Sequence, residues 1–561
     1  MTKKANPKYV FYKHIVVGAN DAIDDTKFLN ECFVDKGELD VIRDTNDPRC
    51  IVLGRTGSGK TAILETLSEE ERHIKIEPDH LSLEFVSNNE VLKFFTEAGV
   101  NMDLFYRLLW RHVFIVELLR KHYNIQSDKQ KDNLFQRLSS IIVNNKSKKE
   151  AINYVEQWGD QFWKETDSRI REVTNKLQTD LTKGIDLTFA GSIPGINATQ
   201  ANIKLANVRT MSAEQREEIR HHGQQVVDSI QITKLTEVLK MLEHDILTDK
   251  NKKYYITIDK LDEQWVNDDI RYRLIRALIE AIKDINHRLS HAKIIIAIRA
   301  DLLGRVFRHT RDAGHQEEKY SSMYLTLKWN YDELENVLNK RINFLMKNQY
   351  TNETVSINNI LPKRKENHQT ALKYILERTL MRPRDAISFV NECIVAAVGN
   401  TTISQSQIQE AERVYSKNRL RALADEWFSD YPSLEHMLTC LLQNGKHKFT
   451  FDTFSSEEFM LKFLETFRSK QGKRIDKNEQ ECIIIKSFLK VEETLSLSEY
   501  KEFLTDCLRI LAKVGVVGVK PNSNSDIMWG YDTDLDNDIN ESCAYYVHLA
   551  FHKCLNIQTP I

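Results

Sequence analysis

Apolar and polar positions along the chain follow two periods. Cys50–Leu53, Tyr254–Ile258 and Lys293–Ile298 are short apolar runs, bounded by polar or glycine-bearing segments, and predict buried strands. Leu81–Val86 and Tyr324–Leu327 read as two more. Between them the period lengthens to that of a helix. Asp25–Val41 places Phe28, Leu29, Cys32 and Phe33 on one face, and Lys60–Leu67, Arg271–Arg288, Asp332–Lys347, 369–425 and Tyr500–Lys513 follow the same rule. Residues 90–250 are helical in pattern except for 184–205, where three glycines and alternating β-branched residues predict a projecting hairpin. In the tail, Val514–Lys520 and Ser542–Leu549 read as paired strands after a helix. Strands alternating with helices predict a parallel sheet in the middle of the chain.

This pattern divides the chain into five parts. Residues 1–90 carry a lead-in and the first half of an α/β domain, and 251–350 its second half. Residues 91–250 form a large helical insertion, 351–425 a helical lid, and 426–561 a winged-helix-like domain.

Composition narrows the class. The 561 residues include 19 glycines and 9 prolines, about half the usual share, which excludes collagen-like and low-complexity chains and disfavours an all-β fold. With 79 Lys+Arg against 81 Asp+Glu the net charge is −2, giving no global reason to coat nucleic acid. No apolar run approaches the roughly 20 residues of a membrane span. The start, Met-Thr-Lys-Lys-Ala-Asn-Pro-Lys, lacks the apolar core of a secretory signal. Eight scattered cysteines without a C-x-x-C pair read as reduced thiols. A cytoplasmic protein is expected.

The strongest chemical signal is Gly54-Arg55-Thr56-Gly57-Ser58-Gly59-Lys60-Thr61, which fits G-x-x-x-x-G-K-[ST] directly after a strand and before a helix. Glycines let the backbone approach phosphate oxygens with its N–H groups, and the helix start adds a positive dipole end. Lys60 is expected to reach the β- and γ-phosphates and the Thr61 hydroxyl to ligate Mg2+. The strand Tyr254–Ile258 then ends in Asp259-Lys260-Leu261-Asp262-Glu263. Asp259 is the expected Mg2+ residue, and Asp262 or Glu263 the carboxylate that orients or deprotonates the attacking water. Lys260 stands where many hydrolysing ATPases carry glutamate, which implies slow turnover.

Cations complete the pattern. Arg299, ending the next strand, can sense the γ-phosphate or simply pair with Asp301. Arg382 or Arg384, at the start of an apolar-faced helix with Pro383 in its first turn, can reach the nucleotide from the lid. Arg305, Arg308 and Arg311 fit a solvated basic face better than an arginine finger.

With these residues in place, the chain resembles the STAND/AAA+ side of the P-loop ATPases. It is close in layout to origin-recognition initiators and closer still to stand-alone bacterial P-loop ATPases of mobile and defence gene islands. The resemblance rests on Asn20-Asp-Ala-Ile-Asp-Asp-Thr-Lys-Phe-Leu-Asn-Glu-Cys-Phe-Val, Asp259-Lys-Leu-Asp-Glu-Gln-Trp265 and Arg382-Pro-Arg-Asp-Ala-Ile-Ser-Phe-Val-Asn-Glu, and covers roughly residues 15–90 and 250–420. It implies an α/β P-loop NTPase fold, a helical lid, a C-terminal winged helix, and ATP rather than GTP. It further implies an ATP-binding and hydrolysing regulatory switch, part of an anti-phage defence system and coupled to assembly as a homo-oligomer or to a protein effector. A DNA-binding initiator or loader, and a nucleotide-binding scaffold with little turnover, are the alternatives. The long insertion departs from the compact initiator layout.

In the tail, Asp532, Asp534, Asp536 and Asp538 crowd the expected wing, so a protein-contacting winged helix is favoured over a DNA reader. Cys543, His548, His552 and Cys554 lack the paired-cysteine spacing of a zinc site and read as buried, reduced side chains.

Overall fold

The computed structural model describes residues 10–78, 86, 90–124, 175, 179, 212–229, 232–263, 265–266, 268–311, 317–349, 353–363, 369–428, 430–456, 458–459, 497–530 and 539–558. The hairpin expected at 184–205 and the acidic run 532–538 lie outside these residues. The chain divides into two units. A sheet unit comprises Asp35–Gly54 and Lys60–Leu327, and a helical unit Met1–Val34, Arg55–Gly59 and Lys328–Ile561.

The sheet unit is built on five parallel strands: β1 (Ile51–Gly54), β2 (His73–Ile76), β3 (Tyr254–Ile258), β4 (Ala292–Arg299) and β5 (Tyr324–Thr326), ordered β2-β3-β4-β1-β5. β1, β3 and β4 are buried along their whole length. A parallel sheet is covered by helices on both faces, so its inner strands are continuous apolar runs, and for that reason they stand out in the sequence. Lys293 is the exception inside β4. Its ammonium donates to the carbonyls of Val41 and Asp44 at 2.7 Å each, closing the end of the helix Glu38–Arg43.

The second strand of this sheet is His73–Ile76, earlier in the chain than the one expected at Leu81–Val86. Val86 is helical, and 81–85 lie outside the described residues. His-Ile-Lys-Ile has only two apolar positions, and its pairing with β3 comes from residues some 180 positions away in the chain. The helices Asp268–Arg288 and Asp103–Tyr123 pack against each other, with the Trp110 indole donating to the Leu274 carbonyl at 3.0 Å. Phe105, Leu109, Val113 and Leu118 of Asp103–Tyr123 thus share one core with β3 and β4.

The helical unit holds two cores. In one, Phe11, Val17, Leu338, Ile342, Ile357, Phe389 and Tyr415 join the N-terminal segment to the helices Tyr331–Gln349, Pro383–Ala396 and Gln405–Glu426. The buried Arg341 guanidinium pairs with Asp25 and donates to the Val17 carbonyl at 2.9 Å. Gly18, at φ +132°, leaves the room this needs, since a Cβ there would fall on Arg341 Nη1. The second core gathers the helices Leu434–Leu442 and Leu497–Lys513 against an antiparallel sheet of β6 (Lys448–Thr450), β7 (Val517–Lys520) and β8 (Ala544–Val547), ordered β6-β8-β7. Gly515, at φ +83°, ends the long helix and turns the chain into β7.

No helix among the described residues is long and apolar enough to cross a membrane. The described cysteines are all free. Among the described residues no group of His, Cys, Asp and Glu is arranged to hold a metal ion. His548 Nδ1 accepts from the Ala550 N–H at 3.2 Å, and His552 Nε2 lies 2.9 Å from the Val547 carbonyl, so both serve the fold of the tail.

Candidate functional site

In the sheet unit, β1 ends at Gly54, and Lys60 and Thr61 open the helix Lys60–Leu67. The Thr61 hydroxyl donates to Asp259 Oδ2 at 2.7 Å, across 198 residues of sequence. The other carboxylate oxygen of Asp259 accepts the Lys260 N–H at 2.8 Å. Lys260 sits at φ +59°, which turns the chain sharply and leaves Asp259 at the end of β3. Burial raises the Asp259 carboxyl above its usual range, against the pull of Thr61, Lys260 and Lys60.

The Lys60 ammonium donates to the Gly54 carbonyl at 3.2 Å. Burial lowers its pKa, while Asp262 and Asp259 favour the charge. β4 lies between β3 and β1, and Gly54 is level with Arg299 in the ladder. The Arg299 guanidinium makes a fork with Asp301, Nε to Oδ1 at 3.0 Å and Nη2 to Oδ2 at 2.9 Å, and is 9% exposed. Its Nη1 lies 3.9 Å from Asp262 Oδ2. Burial works against the Asp301 charge, but Arg299 and Arg305 hold its carboxyl below the usual range. The pairing with Asp301 therefore exists, as a buried brace rather than a surface pair. Arg305 also reaches Asp301, at 3.3 Å, while Arg308 and Arg311 are exposed. Asp262 and Glu263 are both exposed, and the Glu263 carbonyl accepts from Arg271 at 3.1 Å.

Residues 55–59 of the loop belong to the helical unit, and its side chains hold their carbonyls. Arg382 Nη1 donates to the Thr56 carbonyl at 2.7 Å, and the Trp329 indole to the Ser58 carbonyl at 2.7 Å. The Arg384 N–H points at the Gly57 carbonyl at 3.4 Å. Arg55 Nη2 reaches the Val514 carbonyl at 3.4 Å. Gly57 and Gly59 adopt φ +77° and +99°. A Cβ on Gly57 would also meet the Arg384 side chain at 2.8 Å.

Of the two arginines expected at the nucleotide, Arg382 or Arg384, the first is held on both sides by protein groups. It is 2% exposed and forks onto Asp385, with Nε at 2.9 Å from Oδ2. Arg419 meets the same carboxylate at 3.0 Å, and Glu426 lies 3.5 Å from Arg382 and 3.4 Å from Arg419. Arg384 donates through Nε to the Asn20 carbonyl at 2.8 Å; burial lowers its pKa. It lines a cavity of about 400 Å³ together with Asn20, Thr56, Tyr415 and Glu426. Sequence reasoning passed over Trp329, Arg419 and Glu426. Trp329 follows β5 in no motif, and Arg419 and Glu426 lie on a helix whose polar residues look like a solvated face.

The class so defined is a parallel α/β protein with a phosphate-loop sequence between its first strand and first flanking helix. Residues 332–424 match the model of the FunZ-associated C-terminal helical domain. The chain is 23% identical over 452 residues to the putative transposon gamma-delta 80.3 kDa protein of Escherichia coli (strain K12). That alignment takes in 78% of this chain and 53% of the relative, so the chain spans about half the length of the curated protein it matches. Among solved structures, a Walker-type ATPase of Pyrococcus abyssi aligns over 89% of this chain and 94% of its own, at 11% identity and a TM-score of 0.33.

Proposed function

We propose that this protein binds ATP through residues 54–61 and hydrolyses it slowly as a regulatory switch. The observation that carries the reading is the 2.7 Å bond from Thr61 to Asp259. It joins the start of the loop's helix to a half-buried acid at the end of a parallel strand, where the chemistry of phosphoryl transfer needs both. Backbone N–H groups of the loop and the Lys60 ammonium take the phosphates. The donor set also fits magnesium. The Thr61 hydroxyl and the Asp259 carboxylate are two hard oxygens, and magnesium is held by one or two protein oxygens with phosphates and waters rather than by a closed protein cage. When bound, magnesium neutralises charge on the phosphates; Thr61 and Asp259 would hold it. Asp262 takes the water-orienting role in preference to Glu263, because Arg299 faces it at 3.9 Å and Arg299 is itself braced by Asp301.

The switch reading extends to a protein effector, to self-assembly, and to a cytoplasmic mobile-element or anti-phage setting. The resemblance noted above and the transposon name of the curated relative support that setting.

The test is titration calorimetry with ATP and magnesium beside phosphate-release kinetics. Lys60→Ala is expected to abolish binding. Asp259→Asn is expected to keep nucleotide binding and to lower phosphate release by about 10²–10³-fold, the scale seen when one group stabilising transition-state charge is removed. Wild-type protein that binds no nucleotide, or a Lys60→Ala variant that binds as well as wild type, refutes the reading.

A further inference from the structure

The loop's carbonyls are held as deliberately as its glycines are placed. In a trans peptide the C=O of one residue and the N–H of the next point in opposite directions, because the six atoms of the unit are planar. A donor that fixes a carbonyl therefore fixes the direction of the following N–H. Arg382 on the Thr56 carbonyl fixes the Gly57 N–H, and Trp329 on the Ser58 carbonyl fixes the Gly59 N–H, both through bonds of 2.7 Å. Between these two planes, the Ser58 N–H closes a turn on the Arg55 carbonyl at 3.1 Å. The N–H groups of Gly57 and Gly59 donate to no backbone carbonyl among the described residues. They are left as donors for an anion, as are the N–H groups at the start of the helix.

We infer that Trp329 is a positioning residue for nucleotide binding: its indole N–H, together with Arg382, presets the loop so that the Gly57 and Gly59 N–H groups face the phosphates before nucleotide arrives. The inference rests on the nucleotide reading above. Both glycines have positive φ, where the backbone has alternatives close in energy, so an unheld loop would sample peptide orientations that turn these donors away. Arg382 cannot swing from its place, since Asp385 forks it and Glu426 flanks it. Trp329 is half-buried, with its six-membered ring 3.7 Å from where a Gly59 Cβ would stand, so ring and N–H together fix one rotamer against the loop. Preorganisation of this kind raises affinity by removing an ordering cost, without touching the ligand.

The experiment compares wild type, Trp329→Phe and Trp110→Phe. Trp110 is a matched control, as its indole also donates to a backbone carbonyl, that of Leu274 at 3.0 Å, but between two helices of the sheet unit. Binding of mant-ATP with magnesium is followed by fluorescence, thermal midpoints are recorded for each protein, and amide hydrogen exchange is measured for the peptide covering 54–61 without nucleotide. Trp329→Phe keeps an aromatic side chain, smaller than the indole, and loses the donor. It is expected to weaken mant-ATP binding about 3–10-fold, the scale of one net hydrogen bond, and to raise KM for ATP with kcat little changed, because the loop holds ground state and transition state alike. Exchange in 54–61 is expected to rise. Trp110→Phe is expected to lower the midpoint while leaving affinity and loop exchange at wild-type values. Equal affinity and equal loop exchange in wild type and Trp329→Phe overturn the positioning role while the nucleotide reading stands. Wild type that binds no mant-ATP overturns both.

Discussion

Asp385 is the keystone of the charge cluster behind the loop, and replacing it with asparagine tests how that cluster is held. The carboxylate is 1% exposed and accepts four hydrogen bonds: from Arg382 at 2.9 and 3.3 Å, from Arg419 at 3.0 Å and from the Leu380 N–H at 3.1 Å. Asp385→Asn keeps the shape but removes the charge, and its amide NH2 turns a donor toward guanidinium donors. Two arginines then share only Glu426. Removing one partner of a buried pair costs about 3–5 kcal/mol, a large part of the roughly 5–15 kcal/mol that holds a domain folded. Urea unfolding of the full chain, followed by circular dichroism, measures the loss.

The pH dependence sharpens the test. Burial alone would push the Asp385 carboxyl up, but Arg382 and Arg419 hold it well below its ordinary value of 3.8. A carboxyl lowered in the folded state contributes stability that is complete above the unfolded value and is lost as the pH falls through the folded one. The gap between wild type and Asp385→Asn is therefore constant from pH 7 to about 5 and narrows only below about 4. A loss under about 1 kcal/mol, or a gap that closes already between pH 7 and 5, refutes the account.

Two further outcomes follow from single residues. Gly18→Ala places a Cβ on Arg341 Nη1 at φ +132°, whereas Gly37, at φ +95°, has nothing within 4 Å of the same atom. Thermal unfolding is expected to show Gly37→Ala losing about 1–2 kcal/mol from backbone strain alone, and Gly18→Ala losing clearly more. His548 is lowered from 6.5 to about 3 by burial first, then by Arg55 and His552. It is neutral in the fold and protonates in the unfolded chain, so stability is full above pH 6.5 and falls as the pH drops toward 3. His548→Phe is expected to flatten the midpoint-against-pH curve between pH 6.5 and 4, and an unchanged slope there refutes the assignment.

The parallel sheet was legible because its inner strands are buried on both faces. Ile294–Ile298 of β4 is apolar without a break, only Thr257 interrupts Tyr254–Ile258, and no turn chemistry competes with them. The phosphate loop was legible because its constraint is local: glycine where φ must be positive, and lysine and threonine opening the helix that follows the loop. Asp259 was legible as an acid at a strand end. β2 was not, since two isoleucines in four residues carry no period, and its partner strand lies far along the chain.

The same division separates what the sequence determined by itself from what the fold decided. Local pattern determined the α/β order, the loop and the acid that ends β3, because each depends on residues within a few positions of one another. Tertiary structure decided which side chains hold them. It brought Asp103–Tyr123 onto Asp268–Arg288 as part of the sheet's own core. It set Arg382 between Asp385, Glu426 and the Thr56 carbonyl of the loop. And it brought Trp329, an unremarked residue after a strand, to the carbonyl of Ser58 across 271 positions. Hydrogen bonds to backbone carbonyls leave no trace in sequence pattern, since every residue carries the same acceptor; only the folded chain selects which one is used.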